Sequence, residues 1–266
     1  MSPKLKQFSD EYSSIFQDAS VVDAYQYRPP YPLATFDVLV GLMDRMVSPR
    51  RILDVGCGRG EMSSRLLGAA DSIDAVDISV AMIDVGKRMP YGSDPKINWI
   101  VGRIEEVKLN PPYALIVAAA SIHWMEWEVT LPRFARVLSH GGHLALVETR
   151  AMPNTWDKEV APILARYSMN RDFQPYNMLT VARELEVRGL FEQRGVVEID
   201  AVPFRQPVDI WVETFHAMNG FSRDRMHGEV SAEFDRQMRD VILRYCPTGE
   251  VKQLVGARVV FGKPLG

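Results

Sequence analysis

The chain has 266 residues, 47% hydrophobic and 24% charged, which suits a globular α/β domain or such a core with an added lobe. Its 31 basic against 34 acidic side chains give a formal charge of −3, whereas a protein that grips a phosphate backbone usually carries a basic excess. Cys57 and Cys246 are far apart and no CxxC or Cys/His ligand spacing accompanies them, which argues against a disulfide framework or a zinc site and fits a reducing compartment.

The opening MSPKLKQFSDEYSSIF scatters its charges and has no apolar signal-peptide core, and no window reaches the roughly 18 apolar residues of a membrane span. The expectation is a cytoplasmic protein that does not enter a membrane. From residue 51 the chain alternates short apolar runs with helical patterns, as a parallel sheet with crossover helices does. RILDVG (51–56) reads as a first strand and GEMSSRLL (60–67) as a helix. SIDAVDI (72–78) is a second strand, followed by a helix to about Lys87 with Met82, Val85 and Met89 inward. INWIVG (97–102) is a third strand. Asn110-Pro111-Pro112-Tyr113 then reads as a turn into the buried fourth strand, ALIVAAA (114–120). An amphipathic helix, VTLPRFARVL (129–138), is predicted to end at Gly141-Gly142 before a fifth strand, HLALVE (143–148).

After Glu148 the rhythm changes. Residues 153–190 read as mostly helical, VVEIDAV as a strand, and IWVETFHAM as a helix. Residues 229–245 form a further helix with Val230, Phe234, Met238, Val241, Ile242 and Tyr245 on one face, and ARVVFGKP is an edge-type strand. The stretches 153–190 and 207–245 are expected to cap the sheet edge. The boundaries read as 1–49, an N-terminal helical lid segment; 50–150, the core; and 151–266, cap and final strands.

DVGCGRG (54–60) lies where the first strand turns into its helix. Gly56, Gly58 and Gly60 allow a sharp bend and a close backbone approach to a ligand, at the sheet end where open α/β folds bind. The spacing is G-x-G-x-G, not the dinucleotide G-x-G-x-x-G, and Asp54 precedes it. A pyrophosphate disfavours a neighbouring carboxylate, whereas a ligand with an ammonium and an uncharged adenosine linkage accepts one. Asp77, 17 residues beyond Gly60, can receive both ribose hydroxyls or cap the next helix.

These residues resemble class I S-adenosylmethionine-dependent methyltransferases, through ILDVGCGRG (52–60), AVDIS (75–79) with Met82, INWIVGRIEEV (97–107), ALIVAAASIHWM (114–125) and RVLSHGGHLALVE (136–148). AYQYRPPYP (24–32) and the C-terminal stretches resemble the small-molecule branch that includes trans-aconitate and quinone-ring methyltransferases. The resemblance implies a Rossmann-like, mostly parallel seven-stranded sheet flanked by helices, with a helical cap after strand five. It implies S-adenosylmethionine as cofactor: Asp54, Gly56 and Gly58 at the methionine end, Asp77 on the ribose, Ile78 on adenine, Arg103 and Ile104 at the adenine edge, and Ala119 near the sulfonium. Ala114 stands where the family often has Asp, and Ile104 where a small residue is usual. The NPPY tetrapeptide also spells a motif of base-methylating enzymes, but there it follows the fourth strand and here it precedes it.

His123 follows strand four and could take a proton from the acceptor, or simply line the pocket. Trp124 and Trp127 could wall a planar acceptor or belong to the core. The resemblance folds the N-terminal segment with Tyr25, Tyr27, Arg28 and Tyr31 over the cofactor, Arg28 pairing with the methionine carboxylate. His216 and Phe215 are further pocket candidates. In the late segment Arg223, Arg225, Arg236, Arg239 and Arg244 interleave with Asp224, Glu229, Glu233, Asp235 and Asp240, a mixed-charge face unlike a nucleic-acid groove. The expected activity is methyl transfer to a small organic acceptor at O, N or C, with specialised metabolism as the expected setting. Rival readings are a nicotinamide-dependent oxidoreductase, a macromolecule methyltransferase, and a cofactor-binding protein of this fold without transfer. The acceptor and the oligomeric state stay open.

Overall fold

The computed structural model of the chain describes residues 5–43 and 49–266. Of the expected lid segment 1–49, residues 1–4 and 44–48 therefore lie outside the described residues. Helices α1 (Asp10–Ser13), α2 (Ala19–Ala24) and α3 (Ala34–Gly41) precede strand β1 (Arg51–Val55). The alternation continues as α4 (Glu61–Leu66), β2 (Ser72–Asp77), α5 (Val80–Arg88), β3 (Ile97–Val101), β4 (Tyr113–Ala119), α6 (Trp127–Val137) and β5 (Leu138–Ala151). Then come α7 (Asp157–Tyr167), α8 (Met178–Val187), β6 (Phe191–Pro207), α9 (Val208–His216), α10 (Gly228–Tyr245) and β7 (Glu250–Pro264).

The strands form one seven-stranded mixed sheet in the order β3-β2-β1-β4-β5-β7-β6. Every pairing from β3 through β5 is parallel, so these strands all end at the same edge of the sheet. Central β4 explains its own apolar sequence: Tyr113 to Ala118 are all buried, as a strand covered on both faces requires.

The chain divides into two compact units. One comprises Pro32–Thr149, Pro175–Asp200 and Ala257–Gly266, and its core includes Leu53, Ile116, Phe134, Leu144, Leu185 and Val260. The other comprises the chain up to Tyr31, Arg150–Gln174 and Ala201–Gly256, with Trp156, Trp211, Phe234 and Met238 in its core. This partition differs from boundaries at 50 and 150. Helix α8, expected in the cap, buries Met178, Val181, Ala182 and Leu185 in the core that contains the sheet.

Several local expectations shift. Helix α6 stops at Val137, before the glycines, because Leu138 is extended and pairs with Tyr113. Between paired positions β5 advances five positions, from Leu138 to His143, where β4 advances two, from Tyr113 to Leu115, so Gly141 and Gly142 lie in an irregular stretch of the strand. Gly142 is needed there: a Cβ would sit 2.8 Å from the Ala114 carbonyl oxygen. Helix α5 buries Met82, Ile83 and Gly86, while Val85 and Met89 are only half-buried. The buried stripe of α10 begins at Ser231, because Val230 is exposed. Of the interleaved charges, Arg223 pairs with Asp235 and Arg236 with Glu233 and Asp240 within the set, whereas Arg225 pairs with Asp18, Arg239 with Asp209 and Arg244 with Glu159, acids from elsewhere in the chain, and Arg223 also takes Glu213. Among the described residues no helix is long and apolar enough to cross a membrane.

Candidate active site

The carboxyl ends of β1, β2 and β4 are laced together by the bend after β1. The Gly56 and Cys57 amides donate to the Val76 carbonyl at 2.8 and 3.0 Å, and the Ser121 hydroxyl donates to the Val55 carbonyl at 2.6 Å. Gly56 has φ +65°, and a Cβ there would come within 2.5 Å of the Ser121 Cβ. Gly60, at φ +80°, would drive a Cβ to 2.4 Å from the Trp99 ring, which is pinned by its indole N–H on the Gly92 carbonyl at 3.0 Å. Only a residue without a side chain fits either position.

Two carboxylates flank this bend. Asp54 is 1% exposed; its Oδ2 accepts from the Ser63 amide at 3.1 Å and the Ser63 hydroxyl at 2.7 Å. Its Oδ1 is buried and has no hydrogen-bond partner among the described residues. Burial pushes the Asp54 pKa up to about 6, with the Ser63 hydrogen bonds opposing the shift. Asp77 accepts from the Gly58 amide through Oδ2 and from the Ser79 amide through Oδ1, both at 2.7 Å. Burial raises its pKa too, against those amide bonds. The N-cap of α5 is Ser79, whose hydroxyl accepts from the Met82 amide at 3.2 Å, so helix capping does not occupy Asp77.

Beside Asp77, Ile78 is 46% exposed, as is Val101, whose strand position pairs with Asp77. Two exposed apolar side chains thus border a carboxylate at adjacent strand tips. Arg103 lies next in the chain and pairs with Glu105 at 3.7 Å; Ile104 is buried, its side chain in the core. Ala119 ends β4 and is half-buried, and Ala120 turns the chain with φ 50°.

The turn after β4 holds His123, 2% exposed, in the short 3-10 helix Ile122–Trp124. Its Nε2 lies 3.0 Å from the Tyr176 hydroxyl. Tyr176 is half-buried, and the start of α8 fixes its place in the chain: Asn177 and Thr180 form a capping box, and the Met178 amide donates to Glu148 Oε2 at 2.9 Å. Glu148 is itself held by Arg258 at 2.7 Å. Trp124 is half-buried, its ring 4.8 Å from the His123 ring. Trp127 is a core residue: its indole N–H donates to the Ile122 carbonyl at 2.7 Å and the Arg188 guanidinium lies 5.0 Å from its ring.

Tyr25, Arg28, Tyr31 and His216 belong to the other compact unit. There the Arg28 guanidinium donates to the Tyr25 hydroxyl at 3.0 Å and lies over its ring. His216 is completely buried, one ring nitrogen 2.7 Å from the Phe221 carbonyl and the other 2.7 Å from Asp235, the environment of a packed interior residue. The NPPY segment lies at the opposite sheet end from the glycine bend. The Asn110 and Pro111 carbonyls accept from Arg51, the first residue of β1, and the buried Tyr113 hydroxyl donates to Asp74. The positions sequence reasoning overlooked are Ser63, Glu148 and Tyr176. Only the Asn-x-x-Thr pattern after Tyr176 marks a helix start; nothing local names its partner.

A buried acceptor atom without a donor among the described residues, Asp54 Oδ1, suits a ligand that brings a donor or a positive charge, and the bend between Asp54 and Asp77 is too acidic for a bare pyrophosphate. The residues present therefore fit S-adenosylmethionine. Residues 52–142 match the family model described as a methyltransferase domain. An uncharacterized methyltransferase of Mycobacterium tuberculosis is 35% identical over 151 residues, 55% of this chain and 58% of that protein. The trans-aconitate 2-methyltransferase of Pseudomonas paraeruginosa is 31% identical over 191 residues, 67% of this chain and 64% of that protein. The chain thus spans less than two thirds of the length of these curated relatives. Among solved structures, a provisional type II methyltransferase from Anaeromyxobacter dehalogenans aligns with TM-score 0.60 at 24% identity, covering 89% of this chain and 97% of that one. Haemonchus contortus phosphoethanolamine N-methyltransferase 2, solved with S-adenosylhomocysteine, aligns with TM-score 0.54 at 15% identity, over 99% of this chain and 62% of that one. At these identities the structural likeness establishes the fold.

Proposed function

We propose that this chain, which carries a methyltransferase domain on the class I methyltransferase fold, transfers a methyl group from S-adenosylmethionine to a small organic acceptor. The observation that carries the reading is the pair of strand-tip carboxylates joined through the bend: Asp77 holds the Gly58 amide, and Asp54 has a buried oxygen with no partner among the described residues. In this reading Asp54, Gly56 and Gly58 hold the methionine end. Asp77 takes the ribose hydroxyls, Ile78 covers one adenine face, and Arg103 and Ile104 border the adenine edge. Ala119 lies near the sulfonium.

When bound, the cofactor supplies an electrophilic methyl group on a sulfonium sulfur, and the protein's task is to align the acceptor and exclude water. In this reading His123, in the turn after the strand that pairs with β1, receives a proton. Trp124 flanks it as an apolar wall. The curated relatives named for a substrate act on trans-aconitate and on malonyl-[acyl-carrier protein], which supports a small or carrier-borne acid as one acceptor class to try. A cytoplasmic location and a role in specialised metabolism belong to the same proposal. The test is mass spectrometry of a metabolite panel of carboxylic acids, phenols, alcohols and amines incubated with the protein and methyl-labelled S-adenosylmethionine. Gain of one labelled methyl by a panel member supports the reading. Cofactor binding without transfer to any of them would favour a non-transferring protein of this fold.

A further inference from the structure

Five parallel strands end at one edge of the sheet, and four of their tips carry Asp77, Asp54, the His123 turn and Glu148 in spatial order β2-β1-β4-β5. Ser121, two residues before His123, bonds the tip of β1; Glu148 on β5 bonds the Met178 amide, two residues after Tyr176. The Tyr176–His123 contact of 3.0 Å therefore closes across the tips of β4 and β5, next to the carboxylate bend. Burial separates the two partners. The imidazole is 2% exposed, while the phenol is half-buried and is the more accessible partner of the pair.

We infer that Tyr176 is the group that touches the acceptor, that His123 acts through it, and that the acceptor is a hydroxyl compound, an alcohol or a phenol. This rests on the proposed methyl transfer. The acceptor's O–H proton passes to the Tyr176 oxygen as the Tyr176 O–H proton passes to His123 Nε2. The acceptor oxygen uses the freed electron pair for the new bond to the methyl carbon, and the C–S bonding pair returns to sulfur. One proton ends on the imidazole and later leaves to solvent, so the count closes without a further reactant. A carboxylate acceptor is already ionised at neutral pH and an aromatic amine already carries a free lone pair, so neither needs the pair to take a proton before transfer. The relay fixes the resting tautomer: Tyr176 donates to Nε2, and the imidazole proton sits on Nδ1. Glu148 and Arg258 serve it indirectly, by fixing the start of α8 and hence Tyr176.

The experiment uses the full chain, labelled with ¹⁵N-histidine and saturated with S-adenosylhomocysteine. Two-bond ¹H–¹⁵N spectra, assigned with His123→Asn, report the tautomer of the wild-type protein without relying on turnover. The expected result is a neutral His123 protonated on Nδ1, with an Nε2 resonance that moves in Tyr176→Phe. A proton on Nε2, or an Nε2 resonance unmoved in that variant, overturns the relay. In parallel, a phenol and alcohol panel is turned over by wild type and Tyr176→Phe across pH. The variant is expected to lose about 10²-fold in kcat, with the loss shrinking as pH rises and hydroxyls ionise on their own. An unchanged kcat and pH profile, or wild-type turnover confined to carboxylates or amines, contradicts the proposal. Absence of S-adenosylhomocysteine binding to the wild type would instead sink the underlying methyl-transfer reading.

Discussion

The Gly58 amide donates to the Asp77 carboxylate at 2.7 Å, which joins the bend after β1 to the tip of β2. The same carboxylate takes the Ser79 amide, so one side chain organises the loop that meets the ligand and the start of α5. In the proposed reading, cofactor binding and loop order are therefore coupled through Asp77. Replacing Asp77 by Ala removes a charged acceptor from two amides, each bond contributing about 1.5–3 kcal/mol. S-adenosylmethionine affinity should fall at least 10-fold, and the Gly58 and Ser79 amides should exchange faster even without ligand. Calorimetry and amide exchange by NMR read the two effects. Unaltered exchange in the variant would show that Asp77 does not organise the bend.

Asp54 couples function to stability in opposite senses. Its folded pKa, about 6, lies above the unfolded value of 3.8. The folded state then binds the proton more tightly, so this group favours folding at low pH. That contribution fades as pH rises from about 4 through about 6. The interval corresponds to on the order of 3 kcal/mol. Asp54→Asn, which can still accept from Ser63, should raise the melting temperature of the ligand-free protein at pH 7.5 and leave it nearly unchanged at pH 4.5. A cationic ligand prefers the ionised carboxylate, so wild-type affinity for S-adenosylmethionine should weaken below pH 6, and the variant should lose that pH dependence. Equal melting shifts at both pH values would remove the buried-carboxylate account.

The glycine positions separate strain from mere composition. Gly60→Ala meets the pinned Trp99 ring at a positive φ and should cost about 2–4 kcal/mol. Gly68 has open space around its Cβ position and no positive φ, so Gly68→Ala should stay within about 0.5 kcal/mol of wild type. Urea unfolding of the two variants side by side checks the contrast, and equal costs would contradict it.

Arg258 is 8% exposed and bonds Glu148 at 2.7 Å and Glu198 at 2.5 Å. Truncation to Ala leaves Glu148, itself mostly covered, without its cation and should destabilise the protein by about 3–5 kcal/mol. Glu198 is far more exposed, and Glu198→Ala should cost less than about 1 kcal/mol. Denaturant midpoints decide; a mild Arg258→Ala would mean the start of α8 is held by other contacts.

Much of this molecule is legible in its sequence because the relevant signals are local. The run ILDVGCGRG shows a strand entering a bend, and Ala-Leu-Ile-Val-Ala-Ala shows a strand buried on both faces. Asp54 and Asp77 stand out because each closes such an apolar run. Less legible is what depends on distant partners. His123 and Tyr176 are 53 residues apart and Glu148 and Arg258 are 110 apart, and no periodicity links them. The place of α8 in the sheet-bearing core is likewise a packing outcome: its apolar face would suit a cap equally well. Gly141-Gly142 illustrates a local signal overruled, since the pairing of Leu138 with Tyr113 starts the strand before the glycines are reached.

Titration calorimetry of the wild-type chain with S-adenosylmethionine and, separately, NAD reaches the central claim most directly. The acidic, glycine-built bend predicts a single site that binds S-adenosylmethionine and gives no heat with NAD. Binding of NAD with none of S-adenosylmethionine would contradict the account and return the fold to oxidoreductase chemistry.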